Sequence, residues 1–115
     1  MGEPMARNLL RAGYPLTVHT RTKSRAQTLL NEGARWADNP RDLAHAGDVV
    51  ITCVTDTPDV QAVLLGPGGV IEAAREGLIC IDMSTISPTE TRKMGGILAQ
   101  RGVTLLDAPV SGGQI

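Results

Sequence analysis

Residues 48–54 read Asp-Val-Val-Ile-Thr-Cys-Val, the clearest strand signal in the sequence. Their nearly continuous apolar character predicts a strand that is buried on both faces. Residues 77–82, Gly-Leu-Ile-Cys-Ile-Asp, predict a second buried strand. Shorter strands are predicted at 15–20, 34–38 and 103–106, with helical patterns between them. Strands that alternate with helices are typical of an α/β fold with a doubly wound parallel sheet.

Helices are predicted from the spacing of apolar residues and from the residues that begin or end helices. Pro4 and Pro88 fall in first turns, where the missing proline N–H would be unpaired anyway. In the last helix, Met94, Ile97 and Leu98 are predicted to face inward. The predicted helical spans are 4–12, 23–31, 39–46, 57–65, 70–75 and 87–101.

Composition suits one soluble globular domain, because the 115 residues are 42% hydrophobic and 20% charged. A net charge of −1 gives no reason to expect nucleic acid or a membrane surface as a partner. Nothing resembles a signal peptide or a membrane span, so a cytoplasmic location is expected. Cys53 and Cys80 lie in apolar runs and are predicted to be buried strand residues, not metal ligands or a disulfide.

The first 22 residues read MGEPMARNLLRAGYPLTVHTRT. By itself, Met1-Gly2 ahead of a helix is a very weak signal of a phosphate loop, and an ordinary N-terminal helix after a disordered start is the simpler interpretation. A dinucleotide-binding loop needs three glycines, and Gly2 can supply only the third. The whole segment nevertheless resembles the opening of the 3-hydroxyisobutyrate dehydrogenase family, also called β-hydroxyacid dehydrogenases. That family carries G-x-G-x-M-G-x-P-M-A-x-N-L at this place. The resemblance continues through all 115 residues and implies that Met1 and Gly2 contact the cofactor.

The resemblance further implies that residues 1–115 are a partial NAD(P)-binding domain of the Rossmann type. The first strand, the first two loop glycines and a C-terminal helical domain are expected to be missing. That further domain would carry the catalytic lysine and form a homo-oligomer, and neither Lys23 nor Lys93 matches the catalytic position. Because the first strand is central in such a sheet, we expect a gap in the core, marginal stability and no turnover by this chain alone.

Residues 18–25, VHTRTKSR, bear on which nicotinamide cofactor is bound. An acidic residue at this strand end binds the ribose hydroxyls of NAD, whereas Arg accommodates the extra phosphate of NADP. No acidic residue is present, and Arg21 follows the strand with Thr22 and Lys23 beside it. Taken without the resemblance, these residues are interpreted as a solvated turn with surface cations. With the resemblance, it favours NADP over NAD, bound by these three residues.

Two further strand ends carry motifs of the family. Val54, Thr55 and Asp59 follow the clearest strand, and the resemblance implies contacts to the nicotinamide side of the cofactor, by backbone for the first two. Thr85 lies in residues 82–88, which are similar to the family motif D-x-S-T-x-x-P. It is implied to contact the nicotinamide ribose or the edge of the substrate. Taken alone, both segments are strand-to-helix loops whose polar residues cap helices.

Residues 107–113, DAPVSGG, match the family's substrate loop almost letter for letter. Ser111 offers a hydroxyl, and Gly112 and Gly113 allow backbone N–H groups to approach an anion. The resemblance implies that they bind the carboxylate of a small substrate.

The functional hypothesis from the whole sequence is an NADP-binding domain of an oxidoreductase that transfers a hydride between the nicotinamide and a small 3-hydroxy acid or its semialdehyde or keto partner. The alternative is a non-catalytic module that acts through NADP binding or protein contacts.

Overall fold

The computed structural model describes residues 2–54, 57–84 and 87–108, which form short parallel strands and amphipathic helices. The strands are β1 (Thr17–Val18), β2 (Arg35–Trp36), β3 (Val49–Thr52), β4 (Ile79–Asp82) and β5 (Thr104–Asp107). The α-helices are α1 (Gly2–Arg11), α2 (Gln27–Asn31), α3 (Pro40–His45), α4 (Thr57–Leu65) and α5 (Pro88–Ala99). Short 3-10 helices precede α2 at Lys23–Ala26 and follow α4 at Val70–Ala73.

The strands form two parallel sheets. β1 pairs with β2, placing Val18 opposite Trp36. β4 lies between β3 and β5, placing Cys80 opposite both Val50 and Leu105. Among the described residues, the two-stranded sheet has the order β1-β2 and the three-stranded sheet the order β3-β4-β5, and all the strand pairs are parallel. The predicted parallel α/β arrangement is therefore confirmed.

The main hydrophobic core lies over the three-stranded sheet. Leu64 of α4, Met94 and Leu98 of α5, and Leu78 just before β4 are each at most 1% exposed. Burying a side chain of this size stabilises the fold by about 2 kcal/mol relative to exposure. Only small or isolated apolar residues are buried in the described N-terminal part, namely Ala26, Leu29, Ala34 and Ala37.

The prediction that the central strands are buried on both faces is wrong. β3 buries Val50 and Thr52, but Val49 is 49% exposed and Ile51 is 40% exposed. Ile79 at the start of β4 is also exposed. In the register of β3 and β4 these three side chains share one face of the sheet, opposite the face that carries Val50 and Cys80 of the main core. A continuous apolar run predicts a strand here, but the number of covered faces depends on the neighbouring layers.

The inward face of α5 also differs from the prediction at one position. Thr91, Met94 and Leu98 form its buried stripe, whereas Ile97 is 44% exposed. Adjacent residues of an α-helix are about 100° apart around its axis, so Ile97 points away from the stripe to which Leu98 belongs. A threonine with its hydroxyl bonded to the Ser87 carbonyl oxygen takes the inward place instead.

Cys80 lies in the middle strand of the larger sheet and is fully buried, as predicted, whereas Cys53 is only half-buried. Burial raises the pKa of the Cys80 thiol from 9.0 to about 11. Above about pH 9 the unfolded chain therefore releases a proton that the folded chain keeps. We expect the free energy of unfolding to fall as the pH rises from about 9 to about 11.

Urea titrations at about pH 8 and about pH 10 measure this dependence. Cys80→Ala should lose less stability between the two pH values than the unaltered chain does. Cys53→Ala is the matched control, and its loss should equal that of the unaltered chain. The same pH dependence in all three proteins would show that the buried thiol is not its source.

Candidate functional site

The segments that follow β1 and β3 border one cleft between the two sheets. Thr20 and Arg21 come from the turn after β1, and Val54 and Asp59 come from the segments after β3. The cleft has a volume of about 1020 Å³. Thr20, Arg21, Val54 and Asp59 line the part of the cleft beside the carboxyl ends of β1 and β3, and ligands of open parallel sheets bind at such strand ends.

An ion pair joins the two sides of this cleft, with Nη2 of Arg21 donating to Oδ1 of Asp59. The Arg21 side chain is 80% exposed and that of Asp59 is 19% exposed. Solvent screens such a pair, so its net contribution to stability is small. A guanidinium has five N–H donors, and pairing with one carboxylate oxygen leaves it the capacity to bind an anion. The structure thus brings together two predicted cofactor contacts and adds that they contact each other.

The cationic turn after β1 is shaped by local hydrogen bonds. The Thr20 hydroxyl and the Arg25 N–H both donate to the Thr22 carbonyl oxygen, at 2.6 and 3.0 Å. The Nζ of Lys23 lies 5.6 Å from the centroid of the Trp36 ring, within range of a cation–π contact. Thr22 and Lys23 are exposed beside Arg21, as predicted for a binding turn. The contact with the indole ring positions the ammonium group and was not predicted.

A buried polar network joins the ends of β3 and β4. The Thr52 hydroxyl and the Ser84 N–H donate to Oδ1 of Asp82, at 2.8 and 3.1 Å. The Val54 N–H donates to the Ser84 hydroxyl oxygen at 2.8 Å. Asp82 is fully buried, and its Oδ2 has no hydrogen-bond partner within the described part of the chain. The network fixes the two strand-end loops relative to each other.

Sequence reasoning missed Asp82 as a structural centre of the site. A signal was available, because an aspartate that ends an apolar strand needs buried donors. The network also limits Val54, which was predicted to contact the cofactor by backbone. Its N–H is already bonded to Ser84, so its carbonyl oxygen is the backbone group left for a ligand.

The other predicted site residues are placed as follows. Gly2 is the first residue of α1. The remaining ones lie outside the described residues and are Met1, Thr55, Thr85, Ser111, Gly112 and Gly113.

His19 also lines the cleft, and its side chain contacts residues at the end of β2. Its Nδ1 lies 2.9 Å from the Ala37 carbonyl oxygen, and its ring centroid lies 5.4 Å from that of Trp36.

Within residues 2–54, 57–84 and 87–108, no three His, Cys, Asp or Glu side chains are grouped so that they could hold a metal ion. No helix in those ranges combines the length and the apolar character needed to cross a membrane.

The whole chain, residues 1–115, matches the family described as the NAD binding domain of 6-phosphogluconate dehydrogenase. The chain belongs to this family. This NAD-binding domain is 44% identical to the 2-hydroxy-3-oxopropionate reductase of Escherichia coli over 115 residues, which are 100% of this chain and 39% of that protein. The chain spans between 21% and 40% of the length of its most similar curated relatives.

Solved structures of the same fold agree with the family. One is Psf3 in complex with NADP+ and 2-OPP, with a TM-score of 0.92, 33% identity, and coverage of 98% of this domain and 40% of that chain. Another is the 3-hydroxyisobutyrate dehydrogenase of Mycobacterium tuberculosis with L-serine, with a TM-score of 0.86, 33% identity, and coverage of 98% and 38%. The Rossmann-type fold and the resemblance to 3-hydroxyisobutyrate dehydrogenases are thereby confirmed, and the cofactor class is a nicotinamide dinucleotide.

Proposed function

We propose that this domain binds NADP for a dehydrogenase that transfers a hydride between the cofactor and a small 3-hydroxy acid or its semialdehyde or keto partner. The observation that carries the proposal is Arg21, which is exposed after β1 and lines the cleft. No acidic residue occurs from position 19 to 25. Arg at this strand end accommodates the 2′-phosphate, whereas the hydroxyls of NAD call for a carboxylate. The NADP+ complex of Psf3 supports the same choice.

The phosphate in this proposal meets three donors of different kinds. Arg21 offers a planar pair of N–H groups, Thr22 a hydroxyl, and Lys23 an ammonium held beside Trp36. Because Arg21 is paired with Asp59, the phosphate competes with that carboxylate for the guanidinium. The exposed position of Arg21 makes this exchange inexpensive in free energy.

The other roles are proposals carried from the family motifs. Met1 and Gly2 lie against the pyrophosphate, and the nicotinamide end meets Val54, Thr55, Asp59 and Thr85. The substrate carboxylate meets Ser111 and the N–H groups of Gly112 and Gly113. The nicotinamide, when bound, supplies the hydride chemistry, and the protein orients the reacting groups. The match to a reductase over the whole chain favours this function over a non-catalytic module.

Arg21→Ala is expected to weaken NADP binding about 10- to 100-fold, because a charge-assisted contact to the phosphate is lost. NAD binding should change less than about twofold, because NAD lacks the phosphate that this residue contacts. Isothermal titration of the purified chain with each cofactor measures both effects. Equal losses for the two cofactors, or tighter binding of NAD than NADP by the unaltered chain, would contradict the proposal.

Arg35→Ala is the matched control, because Arg35 is an exposed arginine at the start of β2, at the opposite end of the strand pair. Its removal should leave both affinities unchanged. Asp59→Asn separates the two roles of that residue. If Asp59 mainly competes for Arg21, the variant binds NADP more tightly; if it contacts the nicotinamide, binding of both cofactors weakens.

A further inference from the structure

The indole ring of Trp36 is the centre of a small cluster of side chains beside the cationic turn after β1. The Nζ of Lys23 lies 5.6 Å from the centroid of this ring. The indole N–H donates to Oδ1 of Asp38 at 2.9 Å, and the ring also meets that of His19, with the two planes tilted by 39°. The half-buried indole is therefore held by two neighbours, and its position beside Lys23 is fixed.

The two cations of the turn are held in chemically different ways. Arg21 pairs with the carboxylate of Asp59, which offsets part of its charge. Lys23 makes no ion pair with any acidic side chain in residues 2–54, 57–84 and 87–108. An aromatic ring attracts a cation through its quadrupole but carries no net charge. The contact with Trp36 therefore holds the ammonium in place and leaves its positive charge for an anion.

The strand pair brings the indole to the turn. The pairing of β1 with β2 places Trp36 opposite Val18, the last residue of β1. Lys23 begins the 3-10 helix that follows the turn, and only Thr22 separates it from Arg21 in the chain. All three of these turn residues are exposed. The ring on the neighbouring strand thus fixes one of two cations that lie close together on the surface.

We propose that Trp36 is a positioning residue that favours NADP over NAD, because it holds the Lys23 ammonium where the 2′-phosphate binds. This inference rests on the proposed function, since NAD lacks that phosphate. A lysine side chain that is free in solution loses rotational freedom when an anion fixes it, and this loss weakens binding. The indole removes part of that freedom before the ligand binds. Trp36 therefore contributes to cofactor selectivity through Lys23, without contacting the cofactor itself.

Trp36→Leu is expected to weaken NADP binding about two- to fivefold, the range that a cation–π contact at an exposed site can supply. Binding of NAD should be unchanged, because the affected cation has no phosphate to meet there. Trp36→Phe keeps an aromatic face and should restore most of the preference for NADP. Isothermal titration of the purified chain with each cofactor gives the affinities. A role confined to stabilising β2 would weaken the binding of both cofactors together.

A double-mutant cycle tests whether the effect passes through Lys23. Lys23→Met removes the charge and keeps a side chain of similar length, and the exposed position should tolerate it. This variant should weaken NADP binding at least as much as Trp36→Leu does. In the Lys23→Met background, Trp36→Leu should cause no further loss of NADP affinity.

Fluorescence supplies a direct signature, because Trp36 is the single tryptophan of the chain. Saturation with adenosine 2′,5′-bisphosphate is expected to shift its emission, since a phosphate beside Lys23 changes the field at the indole. Adenosine 5′-monophosphate is the matched ligand, because it lacks only the 2′-phosphate, and it should leave the emission unchanged. Lys23→Met should abolish the difference between the two ligands.

Three results would overturn the inference. In the first, Trp36→Leu weakens the binding of NADP and NAD equally. In the second, it tightens NADP binding, which would show that the indole competes with the phosphate for the ammonium. In the third, it weakens NADP binding just as much in the Lys23→Met background.

The outcomes also separate this inference from the proposed function. If Arg21→Ala abolishes the preference for NADP and Trp36→Leu retains it, Trp36 has no positioning role and the proposed function stands. If the unaltered chain binds NAD as tightly as NADP, the proposed choice of cofactor is itself contradicted.

Discussion

Asp82→Ala is expected to lower the free energy of unfolding by about 4 kcal/mol, because it removes the acceptor at the centre of a buried network. Without the carboxylate, the Thr52 hydroxyl and the Ser84 N–H are left without their acceptor in a site from which water is excluded. The loops after β3 and β4 lose their common anchor, so the Val54 backbone should also become less ordered. Urea denaturation followed by circular dichroism measures the stability change.

Asp107→Ala is the matched control for this change. Asp107 lies opposite Asp82 in the register of β4 and β5 and ends its strand in the same way, but it is exposed. Its replacement should cost less than about 0.5 kcal/mol. Asp82→Asn keeps one carbonyl oxygen as an acceptor and should lie between the two. Similar losses for Asp82→Ala and Asp107→Ala would show that the network does not stabilise the fold as described.

Gly102→Ala is expected to cost about 3 kcal/mol, from two causes that act together. Gly102 follows α5 with a φ of +80°, a conformation that L-residues with a side chain rarely adopt. A Cβ at this position would also lie 2.8 Å from the Cα of Glu76, and that backbone cannot move aside cheaply. The Gly102 carbonyl oxygen accepts a hydrogen bond from the Gly77 N–H at 3.1 Å, so the displacement disturbs the start of β4.

Gly77→Ala separates the two causes. Gly77 has a φ of +90°, but a Cβ there meets no heavy atom within 4 Å. This variant should therefore show the conformational cost alone, about 1 kcal/mol. Thermal and urea unfolding of both variants give the comparison. If the two alanines destabilise the protein equally, the close approach to Glu76 contributes nothing.

Local signals in the sequence were sufficient for most helices. The predicted span 57–65 agrees with α4 residue for residue, because Pro58 fits only a first turn and the Gly-Pro-Gly-Gly segment that follows cannot continue a helix. β1 was predicted over 15–20 but pairs only at Thr17–Val18. Strand length depends on a neighbour at each edge, and one edge of β1 borders the cleft.

The features of the site that could not be predicted from the sequence depend on contacts between residues far apart in the chain. The cationic turn at Arg21 was predicted from its position after a strand, but its pairing with Asp59, 38 residues away, depends on how the sheets are placed. The position of a motif also cannot show which backbone groups already make hydrogen bonds within the protein, and the Val54 N–H, which donates to the Ser84 hydroxyl, is an example. The exposure of Ile51 likewise depends on the layers that pack on the sheet.

The large buried side chains are concentrated in one part of the chain, so the two parts should differ in their stability against local unfolding. Nearly all large buried side chains come from the segment that begins with β3 and ends near β5. In that segment α5 packs against both α4 and β5. The segment up to β2 has mostly small buried residues and two strands of two residues each. Local opening should therefore begin in the part that carries Arg21, while the part that carries Asp82 stays folded. Arg21, the residue proposed to select the cofactor, thus lies in the part with few large buried side chains, whereas Asp82 lies in the part that contains the main core.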